Sequence, residues 1–269
     1  MLYESIGGSD VEWAGMTAAE VRDRAERDGS ILVVPVASLE QHGPHMPTAT
    51  DSILAEAVAH AGADRVHPDV PILVTPPVWT GYSPHHLSFG ATVSLEYEHL
   101  LWLLDDVVAA AAANDFDAVL LLNGHGGNAA LVASAAQMYG RAYGDDVEVL
   151  GLTYFALARA FIDELRESDA GGIAHAGEME TSLMLHLRPD LVDEAAIEGT
   201  RWELPYDLTE ADLTRASPVS MYTEIADYTD SGALGSPELA DAETGAAMYE
   251  AFGDEFGAFL LDVYDRHVA

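Results

Sequence analysis

The segment LEQHGPHMPTATD at positions 39–51 brings together three kinds of side chain that bind metals, directly after an apolar run. Glu40 and His42 are two residues apart, so in an extended segment both side chains point the same way. Thr50 is predicted to cap the helix that follows, and the Gly- and Pro-containing loop before it can return Asp51 to the pair. Glu, His and Asp form an oxygen and nitrogen ligand set that suits Zn, Mn or Fe. The alternative interpretation is an ordinary strand-to-helix loop with one capping carboxylate.

A second motif, NGHGGN at 123–128, follows the aliphatic run AVLLL. A histidine at the carboxyl end of a buried parallel strand lies where open α/β sheets bind their ligands, which makes His125 a candidate site residue. The neighbouring glycines permit close approach of the backbone to a bound group. A glycine-rich turn with a hydrogen-bonded histidine is the alternative. A phosphate-binding loop is disfavoured because no lysine accompanies the motif.

The third motif is HAGEMETS at 175–182. On a helix His175 and Glu178 share a face, whereas Glu178 and Glu180 diverge. Both glutamates can therefore serve one site only if the helix begins between them. Acidic residues are also common in the first turn of an ordinary helix, where the dipole favours them.

A fourth segment, GYSPHHLSFGAT at 81–92, offers Ser83 and His86 as walls of a small polar pocket. Alone it is also compatible with ordinary loop chemistry. The combined pattern is more informative, because six of the 11 histidines fall within these four motifs: His42, His45, His85, His86, His125 and His175. The sequence therefore predicts a metal-dependent hydrolase.

Short aliphatic runs alternate with longer helical patterns, which predicts an α/β fold with a mostly parallel sheet flanked by helices on both faces. The predicted strands are 31–36, 72–75, 118–122 and 147–152. The predicted helices are 17–28, 51–63, 94–113, 128–143, 178–187 and 242–265. Residues 189–240 lack periodicity and are interpreted as an excursion from a single domain that spans 1–269.

The charge balance excludes several functions. The chain has 46 acidic and 11 basic residues, a net charge of −35, and every basic residue is arginine. Lysine-based catalysis is thereby excluded, and nucleic acids and anionic membranes are poor partners for so acidic a chain. Acidic residues spread along the whole chain predict adaptation to concentrated salt, where the Debye length is about 3 Å at 1 M. The absence of cysteine excludes thiol chemistry. The N-terminus does not resemble a signal peptide and no apolar run reaches membrane-spanning length, so we expect a cytoplasmic protein.

Taken together, the motifs resemble the creatininase (creatinine amidohydrolase) family. The resemblance is carried, in order along nearly the whole chain, by VPVASLEQHGPHMPTATD, SPHHLSFGAT, NGHGGN, HAGEMETS and, at 232–245, GALGSPELADAETG. It implies a three-layer fold, a homo-oligomer that is commonly a hexamer, and a small-molecule amide as substrate. It also implies a centre of two divalent metal ions with Glu40, His42, Asp51 and His125 as ligands and Asp51 bridging the ions.

Two features depart from creatininase itself. The family enzyme has a metal-binding glutamate two residues after the histidine that matches His125, where this chain has Gly127. We expect Glu178 to replace that ligand, with Glu180 as the rival candidate. The substrate loop just before His175 reads GGIA and contains no aromatic residue to stack on a creatinine ring. Both departures disfavour creatinine as the substrate.

The resemblance leaves several functions open. The main expectation is hydrolysis of a non-peptide C–N bond, in a cyclic amide or a formamide, by metal-activated water. In that reaction His175 donates a proton to the leaving nitrogen, Glu180 or Glu178 orients it, and Ser83 and His86 line the pocket. The alternatives are the archaeal deformylase that acts on a formylamino-ribosylaminopyrimidine phosphate, a family branch that trims a modified peptide, a single-metal lyase or isomerase, and a non-catalytic metal-binding scaffold. The deformylase would need arginine near its phosphate, and the four motifs contain none.

Overall fold

The computed structural model describes residues 8–215 and 217–269. The N-terminal stretch discussed above begins in residues 1–7, which lie outside the described residues, as does Ala216. The centre of the fold is a four-stranded, fully parallel sheet in the order β2-β1-β3-β4. Its strands are β1 (Ile31–Val36), β2 (Ile72–Val74), β3 (Ala118–Asn123) and β4 (Glu148–Thr153).

Seven α-helices surround this sheet in the described residues. They are α1 (Ala18–Ala25), α2 (Thr50–Val66), α3 (Tyr97–Ala113), α4 (Ala129–Tyr143), α5 (Ile162–Leu165), α6 (Glu178–Leu187) and α7 (Ala242–Val268). The first, third and fourth helices pack on one face of the sheet, and the second, sixth and seventh pack on the other. The predicted arrangement, a mostly parallel sheet between two helical layers, is confirmed.

Strand periodicity produces the two cores. Val33 and Leu120 point into the layer of α2 and α7, whereas their neighbours Leu32 and Leu121 point into the layer of α3 and α4. Since both sets are buried, the central strands read as continuous aliphatic runs. Each such side chain contributes about 1.5–3 kcal/mol of burial energy. The sheet is therefore a rigid support for the residues that follow its strands.

The irregular segment, residues 188–241, lies between α6 and α7. In its described part the only helices are short 3₁₀ turns: Pro189–Leu191, Glu194–Ala196, Ile225–Asp227 and Pro237–Leu239. Ile225 and Leu234 form a small apolar cluster with Ala174, and Trp202 packs against it. The segment is thereby attached to the chain just before His175.

No helix in residues 8–215 and 217–269 combines the length and the apolar character needed to cross a bilayer.

Candidate metal centre

The loops after β1 and β3 carry the first histidines and carboxylate of the site. Glu40 and His42 follow β1, and both are buried. His125 follows β3 after Gly124, and its backbone N–H donates to Asn123 Oδ1 at 3.0 Å. Because β1 and β3 are parallel neighbours, both loops leave the same edge of the sheet.

Asp51 reaches these residues from the first turn of α2. Thr50 was expected to cap this helix, but it is the first helical residue, and its hydroxyl donates to the Pro47 carbonyl at 2.7 Å. Asp51 Oδ1 lies 3.1 Å from His42 Nε2, and its Oδ2 lies 3.3 Å from His125 Nδ1. The two oxygens of one carboxylate thus face two different histidines, an arrangement suited to a bridging ligand.

A tight turn brings the fourth segment to the site. Ala176 adopts φ 53°, a left-handed conformation that costs a non-glycine residue roughly 1–2 kcal/mol. Its N–H donates to Glu180 Oε2 at 2.7 Å, which fixes that carboxylate across the turn from His175. The helix begins at Glu178, so Glu178 and Glu180 diverge.

Glu178 does not join the other site residues, contrary to its predicted role as a metal ligand. Its buried carboxylate accepts hydrogen bonds from the backbone N–H of Glu167 at 2.6 Å and of Ser168 at 3.0 Å. It fastens the loop that leads to His175. Glu180, the rival candidate, is the glutamate that the structure brings to the site.

Three histidines are oriented in the same way. In each ring, one nitrogen donates to a backbone carbonyl oxygen, and the other nitrogen faces the carboxylates of the site. The outer acceptors are the Glu40 carbonyl for His42 at 3.1 Å, the Tyr82 carbonyl for His125 at 3.2 Å, and the Gln41 carbonyl for His175 at 2.7 Å. Because a carbonyl only accepts, these bonds fix which nitrogen carries the hydrogen. Metal-binding histidines are usually held in this way.

Six residues form what we call the carboxylate–histidine cluster: Glu40, His42, Asp51, His125, His175 and Glu180. Within it, Glu40, Asp51 and His125 have ligand atoms within 4.8 Å of one another, and so do His42, His175 and Glu180. Glu40, His86 and His175 form a third such group. In the described residues, Glu40 Oε2 and Asp51 Oδ2 are buried without a hydrogen-bond donor. Unsatisfied carboxylate oxygens beside imidazole nitrogens fit a divalent cation.

Burial and neighbouring charges shift the pKa values of the cluster residues. Burial opposes ionisation of Glu40, but the His125 and His86 imidazoles hold its pKa well below the usual range. Burial lowers the pKa of His42, yet the neighbouring Asp51 carboxylate raises it to about 9. Burial raises the pKa of Glu180 to about 7. Without a metal ion, protons on the imidazoles therefore supply the positive charge that a bound metal ion would supply.

Ser83 and His86 occupy different places, although both were expected to line the pocket. Ser83 is fully buried behind His125, with its Oγ 3.0 Å from the ring Nε2. It therefore supports His125 instead of facing the cavity. His86 does line the cavity, and its Nδ1 accepts from Gln41 Nε2 at 2.8 Å. Its Nε2 therefore carries the hydrogen and lies 3.3 Å from Glu40 Oε1.

Gly127 is enclosed by its neighbours. A Cβ at this position would lie 2.4 Å from both His125 Nε2 and the Tyr82 carbonyl oxygen, and 2.8 Å from His85 Cε1. Contacts this short do not occur without displacement of the surrounding atoms. A glutamate cannot be accommodated at position 127 in this conformation.

Five of the six cluster residues, all except His42, line a cavity of about 640 Å³ whose wall also contains residues the sequence did not indicate. The irregular segment contributes Trp202, Tyr222 and Arg215, and the turn after β4 contributes Arg159. These residues belong to no motif and to no regular element with a hydrophobic period. The one sequence signal for the arginines is their scarcity, since the whole chain has 11 basic residues.

A family model described as "Creatininase: Creatinine amidohydrolase" matches residues 14–260. The chain belongs to the creatininase family. Members of this family are hydrolases, and so we treat this protein as an enzyme of that class.

Individual relatives of this creatininase-family chain differ in substrate. A mycofactocin precursor peptide peptidase of Mycobacterium tuberculosis is 33% identical over 231 residues, which are 83% of this chain and 82% of that protein. A creatinine amidohydrolase of Pseudomonas putida is 30% identical over 87% of this chain and 90% of its own. Two solved creatininase structures, described as "Creatininase Mn" and as a Zn-Zn type, each superpose with a TM-score of 0.80 at 28% identity. They cover 95% of this chain and 99% of their own.

Proposed function

We propose that this creatininase-family protein is a metal-dependent amidohydrolase that uses water to cleave a non-peptide C–N bond. The observation that carries the proposal is the convergence of three buried carboxylates and three oriented imidazoles at one cavity. Two carboxylate oxygens there lack a hydrogen-bond donor among the described residues. Such a site is costly to fold unless it serves a cation.

The geometry supports a two-ion assignment. Glu40, Asp51 and His125 would hold one ion, and Asp51, His42 and Glu180 would hold the second, with Asp51 shared. Zn, Mn and Fe all suit this oxygen and nitrogen set. When bound, such ions lower the pKa of water from 15.7 towards about 7 and polarise the substrate carbonyl.

His175 and His86 are assigned the proton transfers and substrate contacts. His175 was expected to be a proton donor at the outset, but its Nε2–H is bonded to the Gln41 carbonyl and its Nδ1 is unprotonated. Burial and the neighbouring His42 lower the pKa of His175 to about 3. The ring is therefore neutral before water attacks, and we assign to it the transfer of the proton that water loses to the leaving nitrogen. His86 lines the cavity, where it would contact the substrate, and its Nε2–H lies 3.3 Å from Glu40 Oε1.

The cavity favours an amide larger than creatinine. Its volume of about 640 Å³ lies within the usual range for drug-sized ligands, roughly 300–1,000 Å³. A formamide on a larger body fits this space better than a small cyclic amide. The deformylase reaction is the second candidate, because Arg159 and Arg215 line the cavity and could hold a phosphate.

The test is metal removal and restoration in concentrated salt, with creatinine, formamides and small cyclic amides as substrates. We expect a chelator to abolish turnover and Zn, Mn or Fe to restore it. Full activity after complete metal removal would overturn the metal dependence. Metal binding without turnover of any amide would favour the non-catalytic scaffold.

A further inference from the structure

Two arginines stand out on the wall of the cavity because positive charge is scarce in this protein. The chain has 11 basic residues against 46 acidic ones, yet Arg159 and Arg215 both line the cavity that holds the carboxylate–histidine cluster. They come from separate parts of the chain, the turn after β4 and the irregular segment.

A hydrogen bond holds Arg159 beside the residue that precedes Arg215 in the chain. Arg159 Nε donates to the carbonyl oxygen of Thr214 at 2.8 Å, and Thr214 is buried and directly precedes Arg215. This bond uses one of the five guanidinium donors of Arg159. In the described residues, no carboxylate lies within 4 Å of the Arg159 guanidinium, so its terminal amino groups are available to a ligand.

Among the described residues, the Arg215 guanidinium forms one weak ion pair. Its terminal nitrogen lies 3.6 Å from Asp163, and the two side chains are 55% and 70% exposed. Exposed pairs of this kind are worth about 0–1 kcal/mol, so an arriving anion can replace Asp163.

The other charged groups on the cavity wall do not cancel the arginines. Asp212 is buried and already bound by Arg166 at 2.8 Å and by the N–H of Gly171 at 2.8 Å. Glu210 lines the cavity and is exposed, as Arg159 and Arg215 are, and it forms no ion pair with either of them among the described residues. The remaining carboxylates belong to the cluster.

An apolar surface accompanies the arginines. Trp202, Leu213 and Ile225 line the same cavity, and Trp202 is held by a hydrogen bond from Nε1 to the Ala211 carbonyl at 3.3 Å. The cavity wall thus combines the carboxylate–histidine cluster, an apolar surface and two arginines.

From these contacts we infer that Arg159 and Arg215 form an anion subsite, and that the substrate is an amide whose body carries a carboxylate or a phosphate. The inference rests on the proposed amidohydrolase function and names the substrate class of that same site. Guanidinium groups bind either oxyanion by paired, charge-assisted hydrogen bonds.

The kinetic experiment compares matched substrates in the metal-loaded protein. One series uses N-formyl-ω-amino acids from glycine to 6-aminohexanoate against their methyl esters, and the other uses N-formyl-phosphoethanolamine against N-formylethanolamine. We expect kcat/KM to be at least tenfold higher for the anionic member of one series, and this ratio to fall at least tenfold in the Arg159→Gln/Arg215→Gln variant. Arg141→Gln, an exposed arginine on α4, is the control and should keep the wild-type ratio. Equal rates for anionic and neutral members, or an unchanged ratio in the double variant, would overturn the inference.

A binding experiment separates this inference from the proposed function. Calorimetry with glutarate and with inorganic phosphate on metal-free protein should show binding of one probe that the double variant loses. The probe that binds identifies the anion class. If the protein turns over amides but binds neither probe, the subsite is wrong and the hydrolase stands. If a probe binds through the arginines but the metal-loaded protein hydrolyses no amide, the subsite stands and the hydrolase assignment fails.

Discussion

The carboxylate–histidine cluster and the irregular segment share one cavity but are built in opposite ways. The cluster is supported by strand ends and helix starts, and its carboxylates and His42 are almost completely buried. The irregular segment forms its part of the wall from loops and short turns, and Arg215 and Tyr222 are largely exposed. Regular elements thus support the cluster, whereas loops form much of the remaining cavity wall.

Relatives of this chain have names as different as creatinine amidohydrolase and peptide peptidase. A substitution in the cluster disturbs several candidate metal ligands at once, because the cluster residues contact one another. A change in the irregular segment alters the wall without disturbing the sheet. We therefore expect substitutions in the two regions to separate metal content from substrate preference.

The largest effect is expected from Asp51→Asn. An amide at this position cannot bridge two cations as a carboxylate does, so we expect metal content to fall and kcat to drop by about 1,000-fold, roughly 4 kcal/mol. Metal analysis and kinetics in concentrated salt measure both. Asp64→Asn, an exposed aspartate on the same helix, is the control. An Asp51→Asn protein with full metal content and full activity would contradict the cluster.

Glu178 and Glu180 provide the second test, because they are neighbours in sequence with different contacts. Glu180→Gln should lose metal. Glu178→Gln should keep metal but lower the free energy of unfolding by about 1–3 kcal/mol, since an amide cannot accept both backbone bonds equally well. Metal analysis with denaturant unfolding distinguishes the two outcomes. Metal loss in Glu178→Gln with retention in Glu180→Gln would reverse the assignment.

The Trp202→Ala variant tests whether the cavity wall contributes to substrate binding. We expect KM for amides with an apolar body to rise about tenfold, roughly 1.4 kcal/mol, because the ring lines the cavity. Metal content should stay at the wild-type value. If the variant instead loses metal with unchanged KM, the division between cluster and wall is incorrect.

The smallest effect is expected at Glu56, a half-buried carboxyl on α2 away from the cluster. Burial, with help from the Glu12 carboxylate, raises its pKa to about 7. The folded state therefore binds more protons than the unfolded state between about pH 4.3 and 7, and stability falls as pH rises through that window. Glu56→Gln should stabilise the protein by about 1 kcal/mol at pH 8 and leave it unchanged at pH 4, after allowance for solvent screening.

Denaturant unfolding at fixed salt and several pH values measures this difference. Glu255→Gln, an exposed glutamate on α7, is the matched control. Equal stability of Glu56→Gln and the parent at pH 8 would contradict the shifted pKa.

The sequence predicted the fold well because the local signals and the tertiary structure agree. The run ILVVPV predicts β1 at its observed bounds, and the predicted 178–187 helix coincides with α6. The predicted strand 72–75 extends one residue beyond β2, and the predicted strand 147–152 begins and ends one residue before β4. Continuous aliphatic runs leave little freedom in strand placement, since either face of the sheet must be buried.

The site was predicted less completely, and each difference has a local cause. Glu178 and Glu180 could not be distinguished without the left-handed turn at Ala176, which sets the direction of α6. Ser83 was placed in the pocket because sequence order does not show which loop lies behind another. Arg159 and Trp202 were missed because their contacts come from tertiary structure in regions without a period.

The enclosure of Gly127 restricts how such a centre can change during evolution. A substitution to glutamate there requires the surrounding atoms to shift, because His85, His125 and the Tyr82 backbone occupy the volume that the side chain needs. The loop that carries Tyr82 and His85 would have to move in the same step. A glycine at position 127 is therefore compatible with a carboxylate supplied from α6. A carboxylate at position 127 itself requires a different loop conformation. An engineer who wishes to convert the first into the second must redesign both loops together.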